Sequence, residues 1–211
     1  MDIAEFKKLP ILGILRGIKE TEIEPLTETV ISSGLKTIEI TMDTEGASSL
    51  IRRMKNIAGN SLTIGAGTVL DITNLKNAVD SGASFIVSPV FVEEVVEYCR
   101  KQKIPVFPGA FTPTEIYHAW QNGATMVKVF PAKSVSPGYF QEIKGPFRDI
   151  ELLACGGVNE KNIRSFFEYK ADAVAFGTSI FRSDLIAAKE FSTIRNAIER
   201  LIDRYRHPLT D

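Results

Sequence analysis

Short runs of aliphatic and β-branched residues alternate along the chain with longer stretches in which apolar residues return every three or four positions. The first pattern reads as strand, the second as amphipathic helix. Strands are predicted at 11–17, 36–42, 62–69, 84–90, 104–110, 124–130, 150–157 and 172–179. "EIEPLTETVISSG" and "VEEVVEYCRKQ" exemplify the helical pieces between them. Helix starts are marked at Asp71 and at Thr112-Pro113, a capping residue followed in the second case by proline at the first helical position. "SGLKTIEI", "SGASFIVS" and "NGATMVKV" each set a glycine just before a strand, where a left-handed residue closes the preceding helix. A fourth copy, "YKADAVAF", carries Lys170 in place of that glycine.

Eight strands, each followed by a helix and with no linker between units, predict an α/β fold. The chain is read as a single closed (β/α)8 barrel, a TIM barrel, over residues 1–211, with a short N-terminal helix and a long C-terminal one. An open doubly wound sheet is the alternative. The chain has 211 residues, near the lower limit of roughly 200 for such barrels, so its loops must be short.

Within each strand, alternate residues face the barrel interior or the helix layer. In strand 36–42, Ile38, Ile40 and Met42 belong against the helices, which turns Thr37, Glu39 and Thr41 inward. In strand 124–130, Val127 and Val129 belong outside, which turns Met126, Lys128 and Phe130 inward. Strands two and six lie on opposite walls, so Glu39 and Lys128 are expected to face each other across one cavity. A structural ion pair is one reading, although such pairs stabilise weakly compared with apolar packing. A Schiff-base lysine with a carboxylate to move protons is the other. Apolar neighbours of Lys128 make an ammonium costly and favour a nucleophilic amine, whereas Glu39 works the other way; the sequence leaves the balance open.

Gly156 and Gly157 follow strand seven, and Gly177, Thr178 and Ser179 follow strand eight, where barrels of this kind often bind phosphate through backbone N–H groups. Asn159 is placed to cap the next helix. Arg16, at the end of the first strand, could hold a carboxylate or simply sit on the rim. Thr68 closes "IGAGT", whose glycines would let a ligand approach the backbone, and Pro89 either lines the site or ends its strand. Lys133, in the loop after "FPA", reads as a solvated loop residue and a decoy nucleophile.

Composition acts by exclusion. The formal charge is −1, so nothing argues for nucleic acid, and the cluster Arg200, Arg204, Arg206 reads as a solvated helix face. Cys99 and Cys155 match no metal or redox spacing, two histidines cannot build a histidine-rich metal site, and no segment reaches membrane-spanning length. A cytoplasmic protein with no membrane partner is expected.

Taken in order, "ILRGI", "IEIT", "GAGTVL", "IVSP", "PGAFTPTE", "VKVFPA", "GGVNEKN" and "FGTS" resemble the KDPG/KHG aldolase family over nearly the whole chain. The resemblance implies a metal-free, cofactor-free class I aldolase, usually a homotrimer. Such enzymes act on 2-dehydro-3-deoxy-6-phosphogluconate or 4-hydroxy-2-oxoglutarate, small keto acids of which the first is phosphorylated. It carries the imine-forming role to Lys128, proton transfer to Glu39 and the pyruvyl end to Thr68 and Phe130. Phosphate binding falls on Gly156, Gly157, Gly177, Thr178 and Ser179, to which Val158 is added as the residue whose N–H opens the following helix. Some members carry a carboxylate-binding arginine four residues after the glutamate. Here that residue is Asp43, which makes Arg16 the replacement, and "ILRG" resembles members acting on the galactonate epimer. The alternatives are therefore the 6-phosphogalactonate substrate and a non-catalytic phosphosugar-binding barrel.

Overall fold

The computed structural model describes residues 1–207, and its strands run all parallel in one sheet of nine segments. These are β1 (Ile11–Leu15), β2 (Thr37–Thr41), β3 (Thr63–Gly67), β4 (Ile86–Val87), β5 (Val106–Phe107), β6 (Gly109–Ala110), β7 (Val127–Val129), β8 (Leu152–Cys155) and β9 (Ala173–Phe176). The ninth segment is the fifth predicted strand cut in two. Pro108 has no N–H to give a ladder, so the strand is interrupted at that residue. β5 pairs with β4 (Ile86↔Val106), and β6 pairs with β7 (Gly109↔Lys128), with the Lys128 N–H donating to the Pro108 carbonyl at 2.9 Å. With β1 joined to both β2 and β9, eight staves close into the expected barrel rather than an open sheet.

Every predicted strand is present but shorter than its apolar run. The greatest loss is at 84–90, where only Ile86–Val87 is strand. The flanking residues are apolar because they line the interior or the loops, and apolarity alone does not define a ladder.

The helices are α1 (Ile3–Lys8), α2 (Ile23–Ser32), α3 (Ala47–Ala58), α4 (Ile72–Asp80), α5 (Glu93–Gln102), α6 (Pro113–Gln121), α7 (Gly138–Lys144), α8 (Ile163–Glu168), α9 (Ser183–Ala187) and α10 (Phe191–Arg206). Asp71 accepts from the Asn74 N–H at 2.7 Å, and Thr112 and Glu115 form a reciprocal capping box before Pro113. Gly34, Gly82 and Gly123 have φ of +82°, +94° and +99°, the left-handed closures expected of the repeat; Lys170 adopts the same conformation at +73°. Arg200, Arg204 and Arg206 are exposed on α10, with Arg200 paired to Glu160. No helix among the described residues is long and apolar enough to cross a membrane.

The core has two layers. Ile38, Ile40, Val127 and Val129 pack outward against the helices. Inside the barrel, Leu12, Phe85, Phe107, Met126 and Leu153 fill the lower half, and Phe6 of α1 covers that end, stacked 6.1 Å from Phe107. Above this apolar floor the interior becomes polar, and there the cavity opens.

Candidate active site

A cavity of about 580 Å³ opens at the C-terminal ends of the strands, lined by Arg16, Glu39, Thr68, Pro89, Lys128, Phe130, Gly156, Gly157, Gly177, Thr178 and Ser179. Eleven of the twelve residues expected at the site therefore share one space. The exception is Val158, which is fully buried and offers its carbonyl to the Ser179 hydroxyl at 2.6 Å. It does not open the following helix, because α8 begins only at Ile163. Asn159 likewise caps a turn rather than α8: its Oδ1 accepts from the Lys161 N–H, and its own N–H donates to Asn162, the residue preceding α8.

Glu39 and Lys128 are the cavity's buried charged side chains, 1% and 6% exposed. Glu39 Oε2 has no hydrogen-bond partner. Burial is the main force on its acidity and pushes its pKa up to about 7, against opposing pulls from Lys128 and then Arg16. A carboxyl group balanced at neutral pH can both give and take a proton, which is what general acid–base work demands. The Lys128 ammonium lies 5.3 Å from the centroid of the Phe130 ring, within cation–π range.

Two glycines expected to serve a ligand serve side chains instead. A Cβ on Gly67 would overlap the Glu39 carboxylate, and one on Gly65 would overlap the Phe85 ring. The "GAG" spacing thus makes room on the interior face of β3, first for a floor residue and then for the buried acid.

Arg16 is half-exposed at the end of β1 and is held from two sides. Asp43 pairs with Nη1, and the Thr68 hydroxyl accepts from Nη2 at 2.9 Å. Thr68 has φ of +54°, a left-handed conformation rare for a threonine. A strained residue beside a cavity is a common mark of a site held in a fixed geometry. Asp43, which could not take a ligand anion itself, aims the arginine that could. That role had no signal in the sequence, because it depends on the loops after β1 and β2 meeting.

Further lining residues include Cys155, at the end of β8, and Asn159. Cys155 faces inward and its thiol is pushed up in pKa, chiefly by burial. Nothing in the sequence marks it, since a lone cysteine in an apolar strand carries no spacing signal. Lys133 is solvent-exposed as expected, but it is not remote: its Cβ would meet a side chain on Gly157 at 2.7 Å. Among the described residues, no group of three or more His, Cys, Asp or Glu could hold a metal ion.

A barrel with a buried amine and a buried carboxyl group at the mouth of its strands defines an enzyme-like site of the lysine–carboxylate class. The sequence model for "KDPG and KHG aldolase" matches residues 3–197, and the chain belongs to that family. It is 31% identical over 208 residues to the 2-dehydro-3-deoxy-phosphogluconate aldolase of Pseudomonas aeruginosa, covering 96% of this chain and 93% of that one. It is 30% identical over 177 residues to the 2-dehydro-3-deoxy-6-phosphogalactonate aldolase of Escherichia coli, covering 83% and 86%. Among solved structures, the KDPG aldolase of Legionella pneumophila, with pyruvate captured at low pH as a covalent carbinolamine intermediate, superposes with a TM-score of 0.84 at 26% identity. That match covers 94% of this chain and 96% of the other.

Proposed function

We propose that this aldolase cleaves 2-dehydro-3-deoxy-6-phosphogluconate to pyruvate and glyceraldehyde 3-phosphate through an imine on Lys128, and that it accepts 4-hydroxy-2-oxoglutarate, giving glyoxylate, as a smaller substrate. The observation that carries the reading is the convergence of Lys128 with a buried Glu39 whose pKa lies at about 7. Covalent pyruvate in the Legionella pneumophila relative supports the same chemistry.

The Lys128 amine attacks the C2 ketone. Glu39 in its protonated form gives a proton to the departing hydroxyl, so that water leaves and the imine forms. The Glu39 carboxylate then takes the C4 hydroxyl proton. The C3–C4 electron pair moves into the imine, and the aldehyde departs. The remaining enamine is protonated at C3, and water releases pyruvate and the free amine. The protein supplies the electron sink itself, so the reaction as written uses no cofactor.

Arg16 binds the substrate carboxylate, while Thr68, Pro89 and Phe130 enclose the pyruvyl end. Gly156, Gly157, Gly177, Thr178 and Ser179 bind the phosphate. The Gly177 carbonyl accepts from both Ile180 and Phe181, so the chain after β9 coils into a turn whose leading amides belong to Thr178 and Ser179. The galactonate epimer is the second reading, favoured by the use of Arg16 with Asp43 in place of an arginine after Glu39. We assign the enzyme to the cytoplasm as a homotrimer, consistent with two buried free thiols and with exposed apolar side chains at Val90 and Tyr117.

Borohydride reduction in the presence of pyruvate tests the reading. A reduced pyruvyl adduct is expected on Lys128, with none in the Lys128→Met variant. No adduct, or one confined to Lys133, would sink it. Relative turnover of the two epimers decides the substrate; faster cleavage of the galactonate form would replace the first choice.

A further inference from the structure

We propose that Lys133 is a specificity-determining residue that neutralises the phosphate of the substrate; the inference rests on the phosphosugar reading above and deepens it. The loops assigned to the phosphate follow β8 and β9, and these strands stand between β7 and β1 in the barrel. Two cations flank them, Lys133 after β7 and Arg16 after β1. Arg16 is already engaged by Asp43 and Thr68 and is aimed at the other end of the cavity. Lys133 has no hydrogen bond or ion pair with another side chain among the described residues.

Its position is fixed by the fold. The chain leaves β7 through Phe130 and Pro131 into a short 3-10 turn, Ala132–Ser134, with Ala132 fully buried as its anchor. This turn lies over the glycine pair after β8. A Cβ on Gly157 would stand 2.7 Å from Lys133 Cβ, 3.6 Å from its Cα and 3.7 Å from its Cδ. Gly157, with φ of +83°, therefore leaves the space in which the lysine stem lies, and that stem runs along the loop that would hold the phosphate.

Charge argues the same way. The cavity-lining groups of these loops are backbone amides, the Thr178 hydroxyl and the Asn159 amide, none with a formal charge; the Ser179 hydroxyl is spent on the Val158 carbonyl, and Arg182 beside Thr178 is engaged by Asp184. A phosphate monoester near neutral pH carries close to two negative charges, and backbone dipoles offset these only in part. A flexible ammonium held at the rim is suited to such a group as a point charge. The distal C5 carboxylate of 4-hydroxy-2-oxoglutarate carries one charge and stops short of the place of a C6 phosphate, so the contribution of the lysine separates the two substrate classes.

The test compares wild type with Lys133→Met and Lys133→Arg on 2-dehydro-3-deoxy-6-phosphogluconate and on 4-hydroxy-2-oxoglutarate. Lys133→Met is expected to lower kcat/KM about 10-fold on the phosphorylated substrate, chiefly through KM, as for loss of one charged hydrogen bond. It should leave the unphosphorylated substrate within about twofold, and Lys133→Arg should recover most of the loss. An equal loss on both substrates, or none on either, overturns the proposal. Glycerol 3-phosphate affinity, measured by calorimetry, supplies a readout independent of turnover. If the wild type cleaves neither keto acid, the aldolase reading fails, and weaker glycerol 3-phosphate binding by Lys133→Met still decides the role of Lys133; unchanged binding overturns it.

Discussion

Gly65 and Gly67 lie two residues apart on β3, both facing the barrel interior, and each leaves a gap that a neighbouring side chain fills. At Gly65 the occupant is the Phe85 ring, part of the apolar floor with Phe107 at 5.7 Å. At Gly67 it is the Glu39 carboxylate. One step of the strand repeat thus separates a gap filled by a packing ring from a gap filled by the proposed proton-transfer group. The floor is apolar and buried. The mouth is polar, holds a carboxyl oxygen without a partner and retains an open cavity. The same residue type, in the same backbone role, makes room for an apolar ring at one level and for a buried acid at the next.

The largest effect is expected from Gly67→Ala. The new methyl cannot coexist with Glu39 in its present place, so the acid must leave its position in the cavity it shares with Lys128. General acid–base groups contribute on the order of 10²–10⁴ in rate, and kcat should fall by about 10³ while pyruvate still forms a reducible adduct slowly on Lys128. Retention of full activity would show that Glu39 is not held by the Gly67 gap, or is not the proton-transfer group.

Next in size is the dependence of stability on pH. Burial raises the folded pKa of Glu39 to about 7 from an ordinary carboxyl value of 4.5. A raised carboxyl pKa favours the fold below about pH 4.5, where the group is protonated in both states, and that advantage is lost as pH rises through 7. The full difference corresponds to about 3 kcal/mol. Glu39→Gln has no such titration, so denaturant unfolding should find it gaining on wild type by up to that amount between pH 4 and pH 8. A stability difference flat with pH would mean that the Glu39 carboxylate is better solvated than its burial implies.

Much of this contrast was legible in the sequence. Alternation turned Glu39 and Lys128 inward, and strand counting set them on opposite walls, because both follow from a repeat of two and a ring of eight. The cut at Pro108 was less visible: a proline inside an apolar run reads as one interrupted strand, and only the ladders show that pairing with β4 stops at Phe107 while bonding to the β7 stave runs on past the proline. The placing of Asp43 beside Arg16 and of Lys133 beside Gly157 was not legible. Each joins two loops distant in sequence, and no local pattern encodes where a loop leans. The glycines of "IGAG" were visible as glycines, but what fills their gaps depends on Phe85 and Glu39, which reach them from neighbouring strands.

The smallest effect is expected at the floor. Gly65→Ala forces a methyl into the Phe85 ring, and overpacking of this kind typically costs about 1–3 kcal/mol. Since Gly65 lies below the cavity, the loss should appear in the urea midpoint while kcat stays near that of the wild type. Phe85→Leu removes part of the ring and should cost a comparable amount through the void it leaves. Combined, the two changes relieve each other, because the leucine withdraws from the space the new methyl needs. The double variant should therefore be more stable than the sum of its parts predicts, a coupling that a double-mutant cycle measures directly. Strict additivity would show that the ring and Gly65 are not in the contact that defines the floor. A loss of kcat in the Gly65→Ala variant as large as that of Gly67→Ala would erase the division between floor and mouth.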